Sequence, residues 1–157
     1  MTTTIDGNSG VIFPNNTTQA SAGQVLQVVN GTYSGPYFST TSTTFVSTGL
    51  TVTITPKFVT SKILLLLQVE VYNDTANKGG DLTIYKNGAN LASGLLGRMY
   101  PISGQLAINI PINYYDSPST TSATTYTLYI KTTNAGYAFN AFQDAFPSTI
   151  TALEIAA

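Results

Sequence analysis

The chain has 157 residues, six Lys+Arg, seven Asp+Glu and no Cys or His. Its length suits one compact domain that buries roughly two thirds of its unfolded surface, but its charged fraction is only 8% against the roughly 25% usual for soluble domains. The absent thiols and imidazoles exclude disulfides, thiolate zinc sites, and Cys-His or Ser-His-Asp catalysis. A net charge of −1 with scattered basic residues gives no footprint for nucleic acid. No apolar run approaches the length of a membrane helix, and MTTTIDGNSG has neither the basic nor the apolar region of a secretory signal. Synthesis in a cytoplasm without export, and no membrane partner, are the expectations.

Residues 1–22 are rich in Thr, Asn, Ser and Gly and carry one apolar cluster, Val11, Ile12 and Phe13, before Pro14. Such a stretch cannot build its own core. It reads as a frayed terminus or as an extended anchoring arm, with Val11, Ile12, Phe13 and Pro14 as the residues that would grip a partner. Residues 23–157 form the body. Leu50, Val52 and Ile54 alternate with Thr51, Thr53 and Thr55, which predicts a half-buried strand. ILLLLQVEV at 63–71 begins apolar throughout and then alternates, as a central strand does. Leu82 and Ile84 oppose Thr83 and Tyr85, and Asn87-Gly88 supplies the pair that tolerates positive φ in a tight hairpin.

Leu106, Ile108, Ile110 and Ile112 line one face of a further strand. Pro111 cannot donate to a ladder, so that strand is expected at a sheet edge or at a bend. Tyr126, Leu128 and Ile130 mark another strand, and 150–155 the last, while 93–104 reads as a crossing loop and 116–123 as a solvated tip. Short strands at this spacing with no amphipathic helix predict an all-β antiparallel sandwich or barrel. Periodicity does not separate a jelly roll from an immunoglobulin-like sandwich, but the absence of Cys and Trp removes the latter's usual core markers and makes the jelly roll the choice.

The carboxylates are dispersed. Asp74, Asp81 and Asp116 read as turn residues, and Glu70 and Glu154 as strand charges that must find solvent or a partner such as Lys62, Lys131 or Arg98. A glycosidase pair would have to be assembled from unrelated strands. NDTANKGGD at 73–81 offers oxygens for calcium, but it lacks a dense acidic pattern and holds Lys78. No enzyme activity, cofactor or metal is expected. The sequons at Asn16, Asn30 and Asn73 are what an Asn- and Thr-rich chain produces by chance. Aromatic residues gather near loops, with Tyr33, Tyr37 and Phe38 in GTYSGPYFST and Tyr137, Phe139 and Phe142 in GYAFNAFQDAF. These six are the candidates for an oligomer interface or a ligand surface, set against the alternative that half or more fill the core.

A mean hydropathy of +0.13 with so few charges leaves little to repel another copy, which a symmetric oligomer resolves. In order, GQVLQVVNGTYSG, the Thr-rich strand ending in TP, SKILLLLQVEV, the YKNG hairpin and the closing PSTITALEIAA resemble small phage and prophage virion proteins and tail-fibre tips with a trimeric jelly roll of the complement and tumour-necrosis-factor type. The resemblance covers 23–157 and implies a homotrimer on the virion. A fibre needs reach, and the arm is short. A capsid decoration (cement) protein bound on the capsid exterior, with the major capsid protein as partner, is therefore the leading expectation. A short fibre or receptor-binding tip that recognises a host glycan or protein is the alternative.

Overall fold

A computed structural model describes residues 4–6, 10–12, 24–142 and 147–157. Thr4–Asp6 (β1) and Gly10–Ile12 (β2) pair antiparallel, Thr4 opposite Ile12, as a two-stranded sheet separate from the body sheets. The body contains Val25–Thr32 (β3), Phe38–Thr40 (β4), Val46–Ile54 (β5), Lys62–Asn73 (β6), Gly80–Lys86 (β7), Ala89–Asn90 (β8), Gly97–Met99 (β9), Leu106–Asp116 (β10), Thr124–Thr132 (β11), Phe139–Ala141 (β12) and Thr149–Ile155 (β13).

In the first large sheet β6 is flanked by β10 on one edge and by β13 on the other, and β3 lies outside β13. Further along β6, β12 takes the edge that β13 leaves and carries β4 beyond it. The second sheet runs β5-β11-β7, with β8 and β9 both on the outer edge of β7. Counting the eight principal strands β3, β5, β6, β7, β9, β10, β11 and β13 as one to eight, the sheets read 1-8-3-6 and 2-7-4-5. This is the jelly-roll order that the strand spacing and the resemblance led us to expect.

The sequence pattern explains the layers. Ile63, Leu65, Leu67, Val69 and Val71 all turn inward from β6, Leu50, Val52 and Ile54 from β5, Leu82 and Ile84 from β7, and Tyr126, Leu128 and Ile130 from β11. Alternation places each set on the inner face. Pro111 lies on β10, which bonds to β6 alone and is an edge strand, so the missing donor costs nothing. At the β7–β8 hairpin Asn87 has φ 49° and Gly88 φ 86°, the positive pair that a type I′ turn needs.

Three segments depart from expectation. The loop at 93–104 contains β9, which pairs with β7 through Asp81 opposite Arg98. Asp116 closes β10 and is buried, so it does not open a solvated tip. Asp81 lies buried within β7 and is not a turn residue.

The two sheets approach tightly where Gly31 of β3 passes Thr51 of β5. A Cβ at Gly31 would collide with the Thr51 carbonyl, one at Gly94 would meet only the Ala92 carbonyl at 3.9 Å, and neither residue has a positive φ. Gly31→Ala must separate backbones and is expected to destabilise the protein by about 1–3 kcal/mol, as overpacking does. Gly94→Ala is expected to be neutral. Thermal unfolding of the two variants beside the parent checks this.

Candidate interaction surfaces

Pairing registers fix what each end of the sandwich contains. At one end lie Gln24, whose carbonyl accepts from Ala156 N–H, together with Lys62, Ser117, Ile54 and Asn87. The segment before residue 24 therefore joins the body beside the C-terminal strand, at what we term the terminal end. At the opposite, distal end lie Tyr33, whose N–H donates to the Ser148 carbonyl, the 74–79 turn, the 100–105 loop and the 133–138 loop.

Buried carboxylates are satisfied one by one. Glu154 is fully buried near the terminal end, where Oε2 accepts from Gln27 Nε2 at 2.6 Å and Oε1 from Ser61 Oγ and Lys57 N–H, both at 2.6 Å. Burial pushes this carboxyl up, but the hydrogen bonds from Ser61, Gln27 and the backbone of Lys57 and Phe58 outweigh it and hold the group below its ordinary value. The expected cationic partners are engaged elsewhere: Lys62 reaches Ser117, while Arg98 and Lys131 both reach Asp81. Glu154 is thus stabilised by neutral donors, because β13 is an interior strand and no cation shares its inner face there.

Asp116 accepts two bonds from Lys86 Nζ, at 3.0 and 3.1 Å, and one from the Tyr126 hydroxyl at 2.7 Å. Burial and the neighbouring carboxylate push the Tyr126 phenol far up, so it remains a donor. Asp81 is clamped by Arg98 at 2.6 and 3.1 Å and by Lys131 at 3.5 Å. Asp74 bonds instead to the Thr75 hydroxyl. Asp74 and Asp81 are therefore engaged separately and form no joint oxygen cage. Among the described residues no three acidic side chains gather as a metal site would require.

The two outer sheet faces differ in kind. On the β5-β11-β7 sheet, Thr53 and Thr125 share a hydroxyl bond at 2.8 Å and Thr51 and Thr127 one at 3.1 Å. Tyr85 stacks on Tyr129 at 3.8 Å, and the Asp81 ion pairs complete the face. That surface is polar and partnered within itself.

On the β3-β13-β6-β10 sheet, Val28, Leu153, Leu64 and Tyr115 form one continuous cross-strand row, and Asn30, Thr151, Leu66 and Asn113 the next. Val28 is 58% and Tyr115 56% exposed. An open depression of roughly 480 Å³ lies across Leu66, Gln68, Pro111 and Thr149. Lys62 is the one cation among the outward positions of these four strands, and the one carboxylate, Glu70, is buried.

The six aromatic candidates divide. Phe139 is in the core, Phe142 is nearly so and stacks on Tyr33 with centroids 3.9 Å apart, and Phe38 is packed against the same cluster. These four are structural. Tyr37 and Tyr137 stand exposed at the distal end, Tyr37 donating to Asn140 Oδ1 and Tyr137 lying beneath Lys78 Nζ. Pairing of β4 with β12 brings the two aromatic segments together. Of the anchor candidates, Phe13 and Pro14 lie outside the described residues, as do the side chains of Val11 and Ile12, whose backbone forms β2. The 480 Å³ depression had no sequence signal, because its lining joins residues of three strands.

No family model and no curated protein matches the chain. Among solved structures it is similar to the VP2 subviral particle of infectious bursal disease virus, at 17% identity and a TM-score of 0.47, over 96% of this chain and 40% of that one. It is also similar to the Gt strain of the same virus (19%, 0.45, 93% and 40%) and to the Gx strain (16%, 0.44, 90% and 40%). The chain spans about two fifths of the length of those chains.

The Glu154 site yields a pH prediction. Its folded-state carboxyl titrates below the unfolded one, so the stabilisation is present above the ordinary glutamate value near 4.3 and disappears as pH falls through the lower folded value. Glu154→Gln places an amide N–H₂ against donors and is expected to cost about 1–3 kcal/mol at neutral pH. Urea unfolding at stepped pH should show the gap between parent and variant closing under acid.

Proposed function

We propose that the chain is a virion structural protein that assembles as a homotrimer, decorates the exterior of a capsid, and attaches to the major capsid protein through residues 1–22. The observation that carries this reading is the contrast between the two outer sheet faces. One face satisfies its own hydroxyls and charges. The other presents the Val28-Leu153-Leu64-Tyr115 row, with Lys62 its one outward cation, and suits burial against further copies.

Burial there answers the problem set by composition. Each 100 Å² of apolar surface removed from water is worth about 2.5 kcal/mol, and with so few charges the face loses little hydration on assembly. The trimeric count rests on the resemblance of the segment order to phage virion proteins. The arm joins the body at the terminal end, away from the aromatic distal loops, so an arm-held head would direct that distal end outward. Three linked arms act at high effective concentration, which makes individually weak capsid contacts sufficient.

Native mass measurement is expected to give three times 16.6 kDa. Leu66→Lys, on the apolar face, is expected to yield folded monomer, whereas Thr53→Lys on the polar face leaves the trimer intact. A monomeric parent at micromolar concentration would contradict the proposal. Deletion of residues 1–22 is expected to leave a folded trimer that no longer occupies capsids in a sedimentation assay. Undiminished occupancy would remove the arm from the mechanism.

A further inference from the structure

Three loops from separate parts of the chain meet at the distal end and are bonded into one surface. Asn77 N–H donates to the Pro101 carbonyl at 2.8 Å, tying the 74–79 turn to the 100–105 loop. Thr133 N–H and Oγ1 donate to the Gly79 carbonyl at 2.9 and 3.0 Å, tying the same turn to the 133–138 loop. The Asn73 amide holds the Lys78 carbonyl, and Asn77 sits at φ 57°, a left-handed conformation that asparagine tolerates in turns.

This braced surface exposes large side chains that the core does not use. Ile102 is 83%, Tyr100 51% and Tyr137 43% exposed. Lys78 meets Tyr137, and its neighbour Gly79 lies against Tyr100. The Lys78 Nζ is 4.3 Å from the centre of the Tyr137 ring, and a Cβ on Gly79 would come within 2.9 Å of the Tyr100 ring. Among the described residues Lys78 meets a ring and no carboxylate, whereas Lys86, Arg98 and Lys131 all meet one. The carboxylate of the same turn, Asp74, is hydrogen-bonded by Thr75.

We infer that the Lys78-Tyr100-Tyr137 surface binds a saccharide that carries a carboxylate. The tyrosine rings would stack on the C–H faces of the sugar, the Lys78 ammonium would pair with its carboxylate, and the exposed Asn77 would accept and donate to its hydroxyls. Size argues against a protein partner. The exposed parts of Tyr100, Ile102 and Tyr137 come to about 400 Å², half of the roughly 800 Å² per partner of a standard protein interface. Such an area suits one or two sugar rings. Three outward-facing copies would turn weak single sites into a useful avidity, a step that rests on the trimeric, arm-held reading.

The test is NMR titration of the full-length protein with glucuronic acid and, as the uncharged counterpart, glucose. Shifts at Lys78, Tyr100 and Tyr137 with glucuronic acid are expected, at a dissociation constant on the order of millimolar. Lys78→Gln is expected to weaken glucuronic acid binding about tenfold, the loss of one charge-assisted bond, and to leave any glucose binding unchanged. Tyr100→Ala is expected to weaken both.

Absence of shifts at these three residues with either sugar would overturn the inference, and equal binding of glucose and glucuronic acid would overturn the assignment of an acidic ligand. Capsid occupancy by Tyr100→Ala should equal that of the parent, because the arm leaves from the other end. A protein that occupies capsids but binds no sugar defeats the saccharide site alone. One that binds glucuronic acid but never occupies capsids defeats the decoration reading alone.

Discussion

The strand Lys62–Asn73 is bonded along both edges, and the sheet of β3, β4, β10, β12 and β13 is built on it. On one side β10 runs beside it through eleven paired positions, from Leu106 opposite Asn73 to Asp116 opposite Ile63. On the other, β13 takes residues 62–68 and β12 takes 71–72. The break between them is closed by Ser148 Oγ, which accepts from Glu70 N–H, and by Phe142 N–H, which donates to the Glu70 carbonyl. Phe142 sits at φ 62° where the chain turns away, so its ring reaches Tyr33 while its backbone completes the ladder. A strand with no free backbone group must bury both its neighbours and its inward side chains. Around it β3, β4 and β10 are left as the edges of the sheet.

Scarce charge takes on a different meaning once the buried groups are located. Asp81, Asp116 and Glu154 are all inside or under other side chains, and Lys86, Arg98 and Lys131 are committed to the first two. Nearly half of the thirteen charges therefore hold the body together. Asp81, Asp116 and Glu154 are thereby withdrawn from the surface, while Arg98 keeps about half of its side chain exposed. The arrangement also makes the charged groups sensitive: removing one member of such a set leaves the other desolvated and unpaired, which costs more than an exposed ion pair ever contributes.

Elements with sustained alternation were readable from sequence because period two is a local property. Leu50–Ile54, Ile63–Val71, Tyr126–Ile130 and Ile150–Ile155 each declare an inner face within a few residues, and Pro111 declares an edge by its chemistry alone. β4, β9 and β12 have three residues each, too short for a period to appear, and β3 reads VLQVVN, in which alternation fails beside the bulge at Glu154 and Ile155. Asp81 and Asp116 looked like turn residues since both stand near Gly, Ser or Pro. Their true surroundings come from Arg98, 17 residues on, and Lys86, 30 residues back. Partners at such separations carry no local signal, and the distal surface at Lys78, Tyr100 and Tyr137 was illegible for the same reason. Of the aromatic candidates, sequence found the right segments but could not separate Phe139, which fills the core, from Tyr137, two residues away and exposed.

The jelly-roll connectivity ties these observations together. An even number of antiparallel strands returns the C-terminal strand beside the first one, so the N-terminal segment and the C-terminal strand share one end. The turns that follow β6, β9 and β11 must then share the other. Residues placed in those turns are free of the constraint that governs the strands, because neither ladder bonding nor the inner face dictates their side chains. Tyr100, Ile102 and Tyr137 occupy such positions and are exposed there, apart from the apolar sheet face. The core does not use them. A partner outside the chain, as inferred above for the Lys78-Tyr100-Tyr137 surface, would cover them at the end opposite the one where Gln24 meets the C-terminal strand.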